Sequence, residues 1–423
     1  MVAGLGLARA AAAQGLPPGA LLLARVKVHM RAELARLPNC SCLETVRRDH
    51  QPAGGTMRPL DTIRLEVLYS DHHELYASPG DRGFSDNQPV EFVGSGLIGN
   101  GHFALFLSGI VTEHGPSYEY KGEELLAGRR LARYEFRVPV SLSGQTITLE
   151  EGSGTVGTKG SFWADPATYE IVRIAMQAEE IPPTLPVVEF VTTIDYAHTN
   201  LAGQDFLLPQ SADYRMVKFS GEESRNHIEF THCRLYGAES AISFGDRQGF
   251  PLFGASSVLE LNRELLPALQ VVVKLATRIT EKAAVGSLIE GVVEGNVLYK
   301  KKVLIPDGSA VRGRVRRLEW NEEKEGYYVV ALEFTEIASG GTRYRFFADL
   351  VGTDVLPGLR QVIRTRQQTE KSPVRGGAGT VSVSDEVLFL PDLPGVGSFF
   401  VQARRLDLPP GFRTTWKTRA LLP

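Results

Sequence analysis

The chain of 423 residues is too long for one ordinary hydrophobic core, and its length favours two or three domains. Charged residues make up 22% of the chain and nearly cancel, leaving a formal net charge of -3, so no overall field attracts a phosphate backbone or an anionic membrane. This excludes the strongly basic class of nucleic-acid-binding proteins, and we expect no nucleic-acid partner. The 43 glycines and 24 prolines punctuate short alternating segments, which is typical of a mainly β protein with many turns.

Residues 1–18 are predicted to form a signal-like or flexible N-terminus. A short apolar run precedes three alanines at 11–13, which fits the small-residue cleavage pattern of a secretory signal. No basic residue precedes the run and Arg9 interrupts it, so the alternatives are a true start upstream of Met1 or a flexible Ala-rich tail. We expect a periplasmic or secreted protein. No later stretch approaches the ~20 consecutive apolar residues of a membrane span, so no transmembrane segment is predicted.

The first domain, predicted over 19–246, begins with an amphipathic helix in "ALLLARVKVHMRAELARLPN", which Pro38 terminates. From Cys42 to about Phe244 the hydrophobic period is two, as in "LARYEFRVPVSL", which predicts strands with one wet face. We predict a curved antiparallel sheet, a half-barrel, that wraps around the helix. The apolar stripe of the helix consists of Leu23, Val26, Met30, Leu34 and Leu37.

The stretch "EFVGSGLIGNGHFALF" imitates a dinucleotide-binding fingerprint through Gly94, Gly96 and Gly99. That fingerprint needs a buried parallel strand before the glycines and a helix that returns to a second parallel strand. Here "PVEFV" is short and contains Glu91, and an antiparallel-looking alternation follows the glycines. The sequence therefore predicts a glycine-rich turn that leads into a short apolar helix or strand, and no nucleotide cofactor.

No catalytic, cofactor-binding or metal site is predicted elsewhere, and we expect no enzyme activity. His72 and His73 are adjacent, so in a strand they point to opposite faces and do not easily share a metal. The chain has no His-Glu-x-x-His, no Gly-x-Ser-x-Gly and no phosphate loop. The adjacent acids Glu179 and Glu180 fit a turn or a solvated strand end better than an acid/base pair.

Three cysteines lie in two distant neighbourhoods that both look like strands: Cys40 and Cys42 in "LPNCSCLETV", and Cys233 in "IEFTHCRLYG". A disulfide between the neighbourhoods would close a loop of about 190 residues and stabilise the fold by several kcal/mol. The alternative is three free buried thiols, since cysteine also behaves as a small apolar residue. A Cys-x-Cys pair with one distant cysteine lacks the usual spacing of a zinc site.

Residues 247–267 are predicted to form a linker with a short helix, and 268–423 a second β domain, a small barrel or sandwich. "VLIPDGSAVRG" indicates a strand, a Pro-Asp-Gly turn and another strand. The polar, glycine-rich stretch 369–380 is predicted to be a mobile loop. In "VRGRVRRLEW" alternate arginines share one face, which suggests either a contact with a carboxylate-rich partner or a solvated face that protects a sheet edge. The candidate partner-contact row consists of Arg312, Arg314 and Arg316.

Four stretches of the first domain resemble a family of secreted proteins common in Acidobacteria: "LARLPNCSCLETVRRD", "GSFWADPATYEIVRI", "DFLLPQSADYRM" and "HCRLYGAESAISF". In that family a Leu-Pro-Asn-aromatic-x-Cys motif opens the domain and a Cys-Arg motif closes it. Here Cys40 stands where the aromatic residue usually is. The resemblance therefore implies a disulfide between Cys42 and Cys233 and leaves Cys40 as the odd thiol.

The order of helix, curved sheet, Trp-x-Asp-Pro turn and late Phe-x-Leu-Pro also resembles the LolA/LolB-type lipoprotein carriers. That resemblance implies a cavity between sheet and helix that accepts an acyl chain, although a helix that fills the concavity would leave only a packed core. "AAVGSLIEGVVEGNVLYKKKVLIPDGSAVRGRV" is similar to small β-barrel segments of bacterial envelope proteins, including the outer-layer subunit of type IV secretion machines.

We therefore expect a non-enzymatic exported binding protein of the bacterial cell envelope. Its ligand would be a lipid, a lipoprotein or another apolar molecule in the concave sheet. The alternative is a structural or assembly protein of the envelope that acts through protein–protein contacts. An apolar cavity would mark the first class, and a stable complex in crosslinking would mark the second.

Overall fold

The computed structural model describes residues 17–71, 73–81, 84, 89–92, 96–111, 116–149, 152–236, 263–321, 326–354, 359–360 and 394–420. Several sequence predictions fall outside these ranges: nearly all of the signal-like N-terminus, most of the linker, and the loop at 369–380. His72 and Gly94 also lie outside the described residues.

Two α-helices are present in the described part of the chain, α1 (Pro18–Arg36) and α2 (Leu105–Val111), with 3-10 turns at Pro89–Phe92 and Val140–Leu142. Proline is well accepted in the first turn of a helix, because the amide hydrogen it lacks has no partner there. Leu37 is extended, as expected for a residue before proline, so α1 ends at Arg36. The predicted N-terminal helix is confirmed.

The first sheet is antiparallel throughout and has the order β3-β2-β1-β12-β11-β10-β9-β8-β5-β4. The first strand of the chain therefore pairs with the last strand of this sheet. A separate hairpin consists of β6 (Thr146–Leu149) and β7 (Gly152–Thr155). The strands of the sheet are β1 (Cys40–Gln51), β2 (Arg58–Ser70), β3 (His73–Ala77), β4 (Ser117–Leu126), β5 (Arg129–Val138), β8 (Gly157–Ala164), β9 (Ile171–Glu179), β10 (Val187–Leu201), β11 (Gln204–Lys218) and β12 (Glu223–Leu235).

The first sheet is curled, because both of its edge strands contact the same short segment. At one edge, Glu74 on β3 accepts a hydrogen bond of 2.6 Å from the backbone N–H of Gly101. At the other edge, the hydroxyl of Tyr118 on β4 donates to the carbonyl oxygen of Ile110. A flat sheet of ten strands would place its outer strands roughly 43 Å apart, much farther than a largely helical stretch of ten residues reaches. The predicted half-barrel is confirmed.

The second sheet has the order β13-β21-β20-β19-β16-β14-β26-β22, and β24 pairs with both β20 and β23. Strands β22 and β24 contact each other where Leu350 lies against Gly397. The small barrel or sandwich expected from the sequence stays a prediction. Two further two-stranded sheets lie outside this sheet, the β17–β18 hairpin and the pair formed by β15 with the distant β25. The strands are β13 (Arg263–Glu264), β14 (Gln270–Leu275), β15 (Ile279–Thr280), β16 (Leu288–Val293), β17 (Val297–Tyr299), β18 (Lys302–Ile305), β19 (Ala310–Asn321), β20 (Tyr327–Ser339), β21 (Thr342–Arg345), β22 (Ala348–Thr353), β23 (Leu359–Arg360), β24 (Val396–Val401), β25 (Asp407–Leu408) and β26 (Arg413–Thr418).

The two sheets meet along β2. The backbone N–H of Arg64 donates to the carbonyl oxygen of Val285 at 2.8 Å. The N–H of Val285 in turn donates to the carbonyl oxygen of Thr62 at 2.7 Å. Buried apolar residues from both sheets form one continuous hydrophobic cluster. The division into separate domains at 19–246 and 268–423 stays a prediction.

Candidate functional site: the concave face of the first sheet

The inner, concave face of the first sheet is mainly apolar. Side chains alternate along each strand, and the register places the same face of neighbouring strands side by side. Helix α1 lies on this face, since the hydroxyl of Tyr134 donates to the carbonyl oxygen of Gly19 at 2.8 Å. The buried apolar residues that share the face include Val46, Ile63, Leu65, Val67, Phe136, Phe162, Ile174, Ile194, Ala212, Ile228 and Phe230.

Helix α1 covers the part of the concave face formed by β4, β5 and β9. Its residues Val26 and Met30 face the sheet and are completely buried. The backbone N–H of Ile171 on β9 lies 3.3 Å from the sulfur of Met30. Gly19 allows the close approach, because a Cβ there would lie 2.6 Å from the ring of Tyr120. The amphipathic stripe predicted from the sequence therefore packs on the sheet.

Residues 96–111, which we call the plug segment, cover the part of the concave face near β1, β3 and β12. The ring of Phe103 packs edge-on against Phe230 at 5.6 Å between centroids and stacks on Tyr69 at 6.1 Å. The segment ends in α2, so the glycine-rich stretch leads into a short apolar helix, one of the two outcomes expected. Its most deeply buried apolar side chains are those of Phe103, Leu107, Ile110 and Val111.

The glycines of the plug segment let its backbone approach the sheet. A Cβ on residue 99 would overlap the ring of Tyr214 and lie 2.6 Å from its hydroxyl oxygen. Only glycine therefore fits at this position without a shift of Tyr214. Gly101 has φ of +91°, in the left-handed region that favours glycine. These two glycines therefore have a structural role against this sheet.

Polar groups of the sheet hold the backbone of the plug segment. The carboxylate of Glu74 accepts hydrogen bonds from the N–H groups of Gly101 at 2.6 Å and Phe103 at 2.8 Å. The hydroxyl of Tyr196 donates to the carbonyl oxygen of His102 at 3.0 Å. The hydroxyl of Tyr214 lies 2.6 Å from Nε2 of His102. The plug is thus anchored by hydrogen bonds as well as by apolar packing.

Other polar atoms buried between plug and sheet have no hydrogen-bond partner among the described residues. They are both carboxyl oxygens of Glu44, Nδ1 of His102 and Oδ1 of Asn226. Glu44 is 0% exposed and lies on β1 opposite Phe230, against which the His102 ring packs at 5.1 Å. Each unpaired buried group costs about 1–3 kcal/mol, so the plugged arrangement is less stable than a fully paired core.

Burial shifts the pKa values of the titratable groups in this cluster toward their neutral forms. Burial raises the pKa of Glu44 well above its usual value, and the nearby carboxylate of Glu74 raises it further. Burial also raises the pKa of Glu74, although its backbone hydrogen bonds oppose the shift. Burial lowers the pKa of His102 to about 3. The site therefore suits a neutral group better than an anion.

The buried cation Arg48, on the same face of β1, does not neutralise Glu44. Arg48 lies four residues further along β1, and its guanidinium forms two hydrogen bonds to Asp61, at 2.7 and 2.6 Å. Both side chains of this ion pair are almost fully buried. The Arg48 charge is thus matched by a carboxylate of its own.

A disulfide joins Cys42 on β1 to Cys233 on β12, the pairing that the acidobacterial resemblance implies. It ties the first strand of the sheet to the last, across 191 residues of sequence. Cys40 is a free, buried thiol, and burial raises its pKa to about 12. The reactive thiolate form of Cys40 is therefore strongly disfavoured.

The three arginines of the candidate partner-contact row are engaged within this chain. Arg314 is buried where the two sheets meet, and its guanidinium contacts Asp81 at 2.5 Å and the carbonyl oxygens of Gly286 and Pro79. A contact between this row and another protein stays a prediction. The acidic partners of the other two arginines are Glu290, 3.9 Å from Arg312, and Glu333, 3.5 Å from Arg316.

Within the described residues, no group of three or more His, Cys, Asp or Glu side chains is arranged to hold a metal ion. The exposed His227, for example, has Nδ1 2.7 Å from Oδ1 of Asp213. Neither helix in the described part of the chain combines the length and the apolar character needed to cross a bilayer.

A surface pocket of about 390 Å³ lies near the end of β9. Its charged lining residues pair with one another, since Glu179 contacts Arg137 at 2.6 Å and Lys159 at 2.8 Å. The acidic pair at 179–180 thus marks a strand end, and we do not take this pocket as the functional site.

Comparison with known proteins leaves the family open. No family model matches the chain, and no curated protein matches it. Among solved structures, the chain is similar to a domain described as outer membrane lipoprotein-sorting from Vibrio parahaemolyticus, at 11% identity and a TM-score of 0.28, covering 52% of this chain and 95% of that one. It is also similar to a DUF1329 family protein from Desulfovibrio piger, at 15% identity and a TM-score of 0.26, covering 53% of this chain and 96% of that one.

A third similar structure is a LolA superfamily protein from Nitrosomonas europaea, at 12% identity and a TM-score of 0.24, covering 52% of this chain and 95% of that one. Likenesses this distant carry no argument about function. What defines the class of this protein is its own geometry, a mostly β chain whose curled sheet encloses a helix and a plug segment. The resemblance to acidobacterial secreted proteins stays a prediction.

The polar cluster beneath the plug was not predicted from the sequence. Glu44 carries a signal that could have identified it, because it stands between Cys42 and Val46 on the inward-facing positions of β1. A charged residue at such a position marks either a buried pair or a functional site. Glu74 and His102 carry no comparable signal, since their roles depend on where the plug segment lies.

Proposed function

We propose that this chain is a non-enzymatic, exported cell-envelope protein that binds an apolar ligand, a lipid or the acyl chain of a lipoprotein, on the concave face of its first sheet. The plug segment occupies that face in the absence of ligand, and binding displaces it. The observation that carries the proposal is the plug itself. A local piece of chain fills an apolar concavity, and buried polar atoms beneath it have no hydrogen-bond partner in the described part of the chain.

The packing of the plug sets the size of ligand that could replace it. Four large apolar side chains of the plug are buried, and burial stabilises each by about 1.5–3 kcal/mol, or roughly 6–12 kcal/mol together. An acyl chain gains about 0.8 kcal/mol for each buried CH₂ group. A chain of roughly eight to fifteen methylenes would therefore compensate for the plug it displaces, and the upper end of that range includes the palmitoyl chain.

The cluster beneath the plug favours a neutral head group that donates hydrogen bonds. Displacement removes the two N–H donors of Glu74 and exposes the unpaired oxygens of Glu44 to the ligand. A hydroxyl or amide would satisfy these acceptors, whereas a fatty-acid carboxylate would meet two acidic side chains. We therefore expect monopalmitoylglycerol to bind more tightly than palmitate near neutral pH.

Titration of a fluorescent monoacylglycerol into the whole protein tests the proposal. Replacing Phe103 with alanine loosens the plug by about 3–5 kcal/mol and should raise the apparent affinity at least about tenfold, since more of the protein is then open. The matched control is Phe399→Ala, which removes an equally buried ring from the second sheet and should leave the affinity unchanged. Equal gains in both variants, or binding in neither, would contradict the proposal.

Native mass spectrometry of protein exported by its own host provides a second test. We expect an added mass that solvent extraction resolves into a lipid or an acylated peptide. The alternative function, an assembly protein of the envelope, predicts instead a stable crosslinked complex and no added lipid. The interactions of the arginine row within the chain offer that alternative no specific support.

A further inference from the structure

The hairpin of β17 and β18 forms its own two-stranded sheet outside the main sheets. Val297 and Ile305 at its base are buried, while all six residues from 298 to 303 are exposed. The turn residues Lys300 and Lys301 have φ of +47° and +66°, the geometry of a tight two-residue hairpin turn. The hairpin is therefore anchored at its base and has a solvent-exposed tip.

The exposed tip carries large apolar side chains. Leu298 is 55% exposed, Tyr299 40% and Val303 52%. Leu298 and Val303 are cross-strand partners, so they lie side by side. Tyr299 is adjacent to Leu298 and points to the other face of the hairpin, so both faces of the tip expose apolar area.

The same tip is positively charged. Lys300, Lys301 and Lys302 are consecutive, and the stretch "VLYKKKVLI" contains no acidic residue. The acidic residues near the base are engaged elsewhere: Glu294 pairs with Arg413, and Asp307 accepts a hydrogen bond from the backbone of Gly295 at 2.8 Å. The hairpin thus carries three local positive charges on a chain whose net charge is -3.

We propose that the β17–β18 hairpin docks the protein on an anionic phospholipid surface. Lysine side chains reach phosphate groups while their stems and the neighbouring apolar residues lie at the acyl boundary, where tyrosine is also favoured. A tip with three apolar side chains offers far less than the ~800 Å² per partner that a stable protein interface buries, whereas interfacial insertion has no such requirement. Charge and shape together therefore favour a membrane over a protein partner.

Co-sedimentation of the whole protein with vesicles tests this inference, independently of any ligand in the concave face. We expect binding to phosphatidylcholine vesicles that contain phosphatidylglycerol, loss of binding at high salt, and little binding to pure phosphatidylcholine. The variant Lys300→Asn, Lys301→Gly, Lys302→Gln removes the charge but keeps a favourable turn sequence. Each lysine near an anionic surface raises the affinity for vesicles about fivefold, so this variant should bind them on the order of a hundredfold more weakly.

A matched control removes the same charge elsewhere, through Arg130→Gln, Lys282→Gln and Lys417→Gln at exposed positions. It should bind anionic vesicles as the unaltered protein does, and an equal loss in this control would overturn the proposal. The variant Leu298→Asn, Val303→Thr keeps the lysines and should weaken binding at least about tenfold, because it removes apolar insertion. Unchanged binding of that variant, equal binding to neutral vesicles, or binding to soluble polyglutamate but not to vesicles would each show that the hairpin is not a membrane contact.

Discussion

Replacing Glu44 with glutamine should stabilise the protein progressively as the pH rises. The pKa of Glu44 is raised well above 4.5 in the folded state, so above that pH the unfolded chain loses a proton that the folded chain keeps. The unfolding free energy of the unaltered protein therefore falls by about 1.4 kcal/mol per pH unit, until the pH reaches the folded pKa. Glutamine has the same shape and no charge, so Glu44→Gln should lack this loss and should gain stability relative to the unaltered protein as the pH rises from about 6 to about 8.

Urea unfolding of both proteins across that pH range measures the difference. Burial lowers the pKa of His102 to about 3, so the stability it contributes is lost as the pH falls below 6.5. This loss affects both proteins equally and cancels when they are compared at one pH. The control is Glu123→Gln at an exposed position of β4, which should give a difference that does not change with pH. A constant difference for Glu44→Gln as well would refute the reasoning that this carboxyl is buried and unpaired.

Three further predictions concern single positions. Gly99→Ala should destabilise the fold by about 1–3 kcal/mol in urea unfolding, because its Cβ would overlap Tyr214, whereas Gly109→Ala on α2 meets no neighbouring atom and should be neutral or slightly stabilising. Cys40, whose pKa is raised to about 12, should resist iodoacetamide in the native protein and react after unfolding, as mass spectrometry would show. Arg314→Met should cost about 2–4 kcal/mol, because it leaves two carbonyl oxygens at the junction of the sheets without their donor, and an unchanged urea midpoint would contradict that role.

Local sequence patterns were sufficient to predict most of the secondary structure. The three- and four-residue spacing that includes Val26 and Met30 predicted α1, and these are the side chains that it buries. Period-two alternation predicted the long strands, because one face of each strand is buried and the other is wet. The Pro-Asp-Gly sequence before β19 likewise marked the turn between β18 and β19.

Contacts between distant parts of the chain could not be predicted in this way. Alternation places Glu44 on the inner face of β1, but only the position of the plug segment shows that its carboxyl oxygens have no described partner. The arginine pattern of β19 is the same whether Arg314 faces solvent or a second sheet, so its burial against Asp81 depends on how the sheets pack. The sequence therefore predicted the elements and their inward faces, and the candidate site arises where two separately encoded elements meet.

The glycine-rich stretch shows why a short motif can be misleading and still be informative. In a nucleotide site, glycines allow backbone N–H groups to approach a phosphate. Here Gly101 allows the same approach, but the anion that its N–H meets is the carboxylate of Glu74, a side chain of the same protein. The physical content of the motif, a backbone able to approach an acceptor closely, is retained although the partner differs. An intramolecular acceptor can exchange that partner for another donor, and the proposed displacement of the plug by a ligand requires that exchange at Glu74.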